Sequence, residues 1–294
     1  MRTAIIGSNG QLGRDLCKIF ESEQQALTRL THRDLEVCDA EQVERVLGEI
    51  APEVVINTAA FHQVEKCELD PTMALAVNAV GARNLATTCR RLDAVLVHFS
   101  TDYVFGGDQR VPYTETDLPG PLNVYGASKL AGEAMVALTW PKHYIVRTCG
   151  LYGVAGSSGK GGNFVETMLK KAGAGETIRV VDDQVLTPTF TEDLAASIGT
   201  LIKTGRYGLY HISAEGECSW YEFARKIFEL QKIDCNPVPV STSAVNSSVV
   251  RPSYSVLSKV KLNSLGIDTA SWNSGLLRYL QSRSSRKDGT PVAV

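Results

Sequence analysis

The chain has no surplus of either charge. Its 294 residues carry a formal net charge of -2, and no lysine-rich stretch offers the field that nucleic acid or an anionic membrane surface requires. No apolar run approaches the roughly eighteen residues of a membrane span, and the N-terminus lacks a basic region followed by a long apolar one. Neither a nucleic-acid nor a membrane partner is therefore expected, and a cytoplasmic location is the default. His-Glu-x-x-His is missing and the five histidines are dispersed, so no metal site is expected. Seven cysteines (17, 38, 67, 89, 149, 218 and 235) are odd in number and form no Cys-x-x-Cys pair. They read as reduced thiols rather than a disulfide framework, and none has an evident base nearby in sequence to make it a nucleophile.

What is present is a chain 44% hydrophobic, long enough to bury a large core as one α/β domain or as a main domain with a smaller partner. Apolar strands at 3–6, 27–30, 54–57, 95–100 and 144–147 alternate with helical patterns at 12–22, 40–50, 71–91 and 125–139. That alternation predicts an α/β fold with a doubly wound, Rossmann-like parallel sheet. Such a sheet binds ligands beyond the carboxyl ends of its strands. Asn57-Thr-Ala-Ala60 and Ser100-Thr-Asp-Tyr-Val-Phe105 both fall at strand ends. Further on, residues 153–162 are rich in glycine and serine, which reads either as a mobile loop over the site or as a solvated linker. Helices are expected at 164–172, 190–203 and 220–230 and a strand at 208–213, while the polar tail 282–294 is expected to fray.

Two motifs carry chemistry. The first strand runs into Gly7-Ser-Asn9-Gly10-Gln11-Leu12-Gly13. Gly7 suits a tight turn, Gly10 a close approach of backbone to pyrophosphate, and Gly13 close packing of the next helix, whose N-terminal amides attract phosphate. Position gives the spacing its force, since it directly follows a strand and opens a helix. In Tyr125-Gly-Ala-Ser-Lys129, a phenol and an ammonium four residues apart share one helix face. Bringing a tyrosine that titrates near 10 into use at neutral pH takes about 4 kcal/mol of preference for its anion, and an adjacent ammonium in a partly dry site is of that order. On its own the pair also fits a plain solvated helix face.

Together Gly7-x-x-Gly-x-x-Gly13, Ser100-Thr-Asp and Tyr125-x-x-x-Lys129 resemble the extended short-chain dehydrogenases/reductases. Residues 117–133, 183–189, 208–211 and 251–257 narrow the resemblance to the dTDP-4-dehydrorhamnose reductase family and span nearly the whole chain. The resemblance implies reduction of the 4-keto group of a nucleotide sugar, dTDP-4-dehydro-L-rhamnose, by NADPH. Tyr125 would donate the proton, Lys129 would lower its pKa and hold the nicotinamide ribose, and Thr101 would hydrogen-bond the carbonyl oxygen. It further implies a cofactor-binding unit at 1–150 plus about 188–213, a substrate-binding unit at about 151–187 plus 214–281, and a homodimer. Asn78, in Val77-Asn-Ala-Val-Gly81, resembles the family's structural asparagine, or simply caps or packs.

NADPH is expected over NADH because the stretch after the second strand reads Thr28-Arg-Leu-Thr-His-Arg33, without the acid that accepts from an NAD ribose. Arg29 or Arg33 could pair with a 2'-phosphate, or lie in solvent. Asp39 stands where the family contacts adenine, and Ala59 and Ala60 would line the cofactor cleft. For the substrate, Asp102 and Tyr103 accompany Thr101, and Asn163 and Arg251 are candidate donors to the diphosphate. Where some family members carry Arg-Thr-Ser-Trp, this chain reads Arg147-Thr-Cys-Gly150. The sugar wall is therefore sought in Tyr152, Phe61 and His62, each equally able to be ordinary packing. Two rival readings remain: a reductase, epimerase or dehydratase acting on another nucleotide sugar, and a non-catalytic regulatory subunit like the β subunit of methionine adenosyltransferase. Dehydratases resemble Thr-Asp-Glu where this chain has Thr101-Asp102-Tyr103, which favours simple reduction.

Overall fold

A computed structural model describes residues 1–22, 26–156, 162–245 and 247–287. Strands β1 (Arg2–Ile6), β2 (Ala26–Leu30), β3 (Val54–Asn57), β4 (Val95–Thr101) and β5 (His143–Thr148) join the strand Gly208–His211 in one six-stranded sheet. Every pairing in it is parallel. Across the sheet the order is Gly208–His211, β5, β4, β3, β1, β2, so the winding direction reverses between β1 and β3 and opens a crevice at their carboxyl ends.

The inner strands β1, β3, β4 and β5 read as largely apolar runs because both faces are covered, whereas β2 at the edge is mostly exposed or half-buried. On one face Ile5, Ile56, Val97 and Val146 pack with Leu16 and Phe20 of α1 (Gln11–Ser22). On the other, Ala4, Val55, Leu96 and Ile145 pack with Val43 and Leu47 of α2 (Ala40–Ile50). Alternate strand residues thus serve alternate layers, as the pleat requires.

After α3 (Val64–Leu69), the helix expected over 71–91 is present as α4 (Pro71–Leu75) running through a π turn (Ala76–Val80) into α5 (Gly81–Leu92); the π turn was not expected. The reason is Asn78. Its amide accepts from Phe61 N at 2.9 Å and donates to Phe61 O at 3.0 Å and Ser128 Oγ at 2.9 Å. These tertiary bonds hold a widened turn, a form that recurs at functional sites.

The chain continues through α6 (Val124–Thr139), α7 (Phe164–Gly173), α8 (Thr191–Leu201), α9 (Trp220–Gln231), α10 (Val260–Asn263) and α11 (Trp272–Lys287). α8 covers the α1 face of the sheet through Leu194, Ile198 and Leu201. α7, α9 and α11 bury a separate aromatic core around Phe223, Phe228 and Tyr279. α11 runs to Lys287, six residues into the tail expected from 282, and is seated by Leu276, Tyr279 and Leu280. Residues 288–294 of that tail, and 157–161 of the expected loop at 153–162, lie outside the described residues. Among the described residues no helix is long and apolar enough to cross a membrane.

Candidate active site

A cleft of about 1130 Å³ opens at the sheet's reversal point. Its floor is the β1–α1 turn. Gly7 adopts φ 75°, a left-handed conformation that favours glycine, and its N–H donates to Leu30 O at 2.8 Å. A Cβ on Gly13 would lie 2.3 Å from Gly7 O, so only glycine lets α1 start this close to the turn. Asn9, Gly10, Gln11 and Leu12 border the cleft. α1 carries no acidic residue in its first turn, leaving its positive end free to meet an anion. This cradle fits a dinucleotide pyrophosphate. Gly13→Ala should cost about 1–3 kcal/mol through overpacking, read as weaker NADP binding by titration calorimetry.

At the adenosine end the structure departs from the sequence reading. Arg29 turns away to pair with Glu21, and neither it, Arg33 nor Asp39 borders the cleft. Asp39 instead caps α2, accepting from Gln42 N at 3.0 Å. The cleft wall here is His32, Leu35, Glu36 and Val37, with His32 paired to Glu36 at 3.1 Å. Their signal in the sequence was proximity to the end of β2, which the search for arginines passed over. Ala59 and Ala60 do line the cleft, positioned by Asn57 Oδ1 accepting from Ala59 N at 3.1 Å.

The reacting end is built from β4 and α6. Asn123 caps α6, accepting from Gly126 N at 2.9 Å. A Cβ at Gly126 would sit 2.2 Å from Tyr103 O, and one at Gly132 would sit 2.1 Å from Asn78 O. Two glycines therefore press α6 against the β4 end and the π turn, and bring Tyr125 and Lys129 into the cleft beside Thr101. Lys129 is only 2% exposed, and desolvation brings its pKa down to about 8 although Glu133 pulls upward. Glu133 is held in turn by a two-pronged pair with Arg147, at 2.8 and 2.7 Å. Burial raises the pKa of the Tyr125 phenol, and the Thr101 hydroxyl offsets part of that rise. Burial thus opposes the phenolate, and Lys129, expected to ease its formation, is not among the groups that shift the phenol. Tyr103 meets Tyr125 edge-on at 5.9 Å.

Opposite lies the C-terminal half. Arg251 borders the cleft and pairs with Glu65 while donating to Ser247 Oγ at 2.6 Å. Asn163 also borders it, but both amide hydrogens are engaged, at 3.0 Å to Gly153 O and 3.1 Å to Tyr279 Oη. Its carbonyl caps α7, so Asn163 shapes the wall and has no donor left for a diphosphate. Tyr152 is 1% exposed inside the aromatic core with Phe190 and Tyr279 and forms no part of the cleft. Phe61 and His62 do line it, joined by Gln184, Leu186, Phe164 and Trp220. Phe164 and Trp220 pack at 4.5 Å between ring centroids. At position 150, φ is 56°, and a Cβ would lie 3.0 Å from Leu186 Cδ1 and 3.1 Å from Pro188 Cα.

A dinucleotide cradle leading to a half-buried tyrosine with a buried lysine and threonine defines an NAD(P)-dependent oxidoreductase of the extended short-chain dehydrogenase/reductase class. Comparison with known proteins narrows the class. A family model described as "RmlD substrate binding domain" matches residues 1–285. The spore coat polysaccharide biosynthesis protein SpsK of Bacillus subtilis is 39% identical, over 98% of this chain and 99% of that protein. A dTDP-4-dehydrorhamnose reductase of Streptomyces griseus is 38% identical, over 99% and 96%. The crystal structure of dTDP-4-dehydrorhamnose reductase from Bacillus anthracis in complex with NADP superposes with a TM-score of 0.91 at 40% identity, covering 96% of this chain and 99% of that one. The chain belongs to the dTDP-4-dehydrorhamnose reductase family.

Proposed function

We propose that the chain reduces the 4-keto group of dTDP-4-dehydro-L-rhamnose to the alcohol of dTDP-L-rhamnose, with NADPH as the reductant. The observation that carries this reading is the convergence of Tyr125, Lys129 and Thr101 in the same cleft as the phosphate-ready turn. Family membership supports the choice of substrate and cofactor.

NADPH held in this cleft would supply the hydride for the C4 carbon. Tyr125 delivers its phenolic proton to the oxygen at C4, so that hydride and proton together complete the alcohol. Lys129 stabilises the tyrosinate left behind and orients the ribose of the cofactor. Thr101 hydrogen-bonds the developing alkoxide, where a fixed donor contributes most. Asn9 to Gly13 would hold the pyrophosphate, and Ala59 and Ala60 would border the cofactor. Residues 1–150 and about 188–213 form the cofactor unit, and about 151–187 with 214–281 the sugar-nucleotide unit. Arg251, already paired with Glu65 at the cleft, exchanges that carboxylate for the diphosphate. The homodimer stands as part of this proposal.

Simple reduction is favoured over dehydration because the residue after Asp102 is Tyr103, which leaves no second carboxyl for elimination of water. Purified protein mixed with NADPH and dTDP-4-dehydro-L-rhamnose should oxidise the cofactor, followed by its near-ultraviolet absorbance, and yield dTDP-L-rhamnose by chromatography. Silence with both NADPH and NADH would discard the sugar assignment.

A further inference from the structure

Lys129 and Arg251 are the only lysine and arginine among the described residues that border the cleft. Lys129 is buried at the reacting end, so the diphosphate of a sugar nucleotide has one guanidinium to meet. In this structure that guanidinium is already taken. Its Nη2 pairs with Glu65, which also borders the cleft, while its Nη1 donates to Ser247 Oγ at 2.6 Å and Val249 O at 3.5 Å. Ser247 and Val249 belong to the same stretch of chain as Arg251 and hold its side chain whether or not Glu65 is present. Glu65 comes from α3, far away in sequence. Both partners are tied to the head of α6, the helix that carries Tyr125. Glu68 of α3 accepts from Val124 N at 2.8 Å, and Asn123 Nδ2 donates to Val250 O at 3.0 Å. The two backbones are therefore fixed relative to each other, and only the side-chain partner of Arg251 is free to change.

We propose that Glu65 is an internal competitor for the substrate's diphosphate: it neutralises Arg251 while the cleft is empty and swings into water when a sugar nucleotide arrives. The inference deepens the reductase reading and rests on it for the meeting of Arg251 with the diphosphate. The Glu65 side chain is 54% exposed and that of Arg251 23%, so the carboxylate has water to turn into while the guanidinium stays in the wall. A carboxylate and a diphosphate carry charge of one sign and repel at contact distance. Each binding event thus trades one ion pair for another instead of adding a new one. Substrate and product carry the same diphosphate, so the trade weakens both alike, which is a change in uniform binding and leaves the chemical step alone. Its consequence is a product that is not held too long, in a class of reaction where release often limits turnover.

The test is titration calorimetry with dTDP as the probe, on wild type, Glu65→Gln, Arg251→Gln and the double variant, each also titrated with NADP. Glutamine keeps the size of the side chain and removes its charge. Glu65→Gln should bind dTDP about two- to five-fold more tightly than wild type, the scale of an exposed ion pair, with NADP affinity unchanged. KM for the dTDP-sugar should fall by a like factor without a rise in kcat. In the Arg251→Gln background most of that gain should vanish, because no guanidinium is left to be released, and the non-additivity measures the coupling. Weaker or unchanged dTDP binding by Glu65→Gln would overturn the proposal, as would an equal gain in both backgrounds, which would make Glu65 a source of plain repulsion. Either result with dTDP still bound by wild type sinks this inference alone. A wild type that binds NADP but not dTDP would discard the sugar-nucleotide reading, and the inference with it.

Discussion

Tyr125→Phe should lower reduction of the dTDP-sugar substrate by about 10²–10⁴-fold, the range associated with losing a positioned general acid, while NADP binding holds. The change removes one oxygen and leaves the ring in its edge contact with Tyr103. Since Gly126 and Gly132 fix α6 by backbone contact, the helix keeps its seat. Lys129 stays buried in the cleft, so the cofactor side of the site is preserved. Steady-state kinetics beside fluorescence titration of NADP separate the two effects. Turnover within a few-fold of wild type would remove Tyr125 from the role of proton donor.

Glu133→Ala should destabilise the fold by about 3–5 kcal/mol, because it strands a buried guanidinium. The Arg147 and Glu133 side chains are 4% and 7% exposed. Glu133 also accepts from Ser100 Oγ at 2.5 Å, so one truncation leaves both a cation and a hydroxyl without their acceptor. Replacing both partners, as Glu133→Leu with Arg147→Met, should recover much of the loss, since the desolvation cost of the charges disappears along with their attraction. Urea unfolding of the three proteins gives the comparison. A single variant as stable as wild type would show that water reaches Arg147.

The sheet was legible because its inner strands β1, β3, β4 and β5 are buried on both faces and so appear as largely apolar runs, and because Gly7 and Gly13 occupy a turn that favours glycine. Tyr125 and Lys129 were legible for a similar reason, helix periodicity alone placing them side by side. What escaped the sequence depended on partners far along the chain. Asn163 is committed to Tyr279, and Asn78 to Phe61 and Ser128. Local spacing reveals neither, although between them they redirect an expected phosphate donor and widen one turn of an expected helix. Arg29 has the right charge near the right strand, yet Glu21 is within its reach and holds it outside the cleft. Phe164 and Trp220 come from two different helices, and no local pattern announces that they meet.

Gly150 sets the routes by which the sugar preference of this protein can change through mutation. Its left-handed backbone and its closeness to Leu186 and Pro188 make any single substitution there strained. A large ring at 150 would need neighbours that had already given way. Divergence toward another sugar would therefore begin at Phe164, Gln184 or Trp220, which border the cleft without that backbone constraint. A library randomised at those three positions should yield altered substrate preference in folded proteins far more often than one randomised at 150.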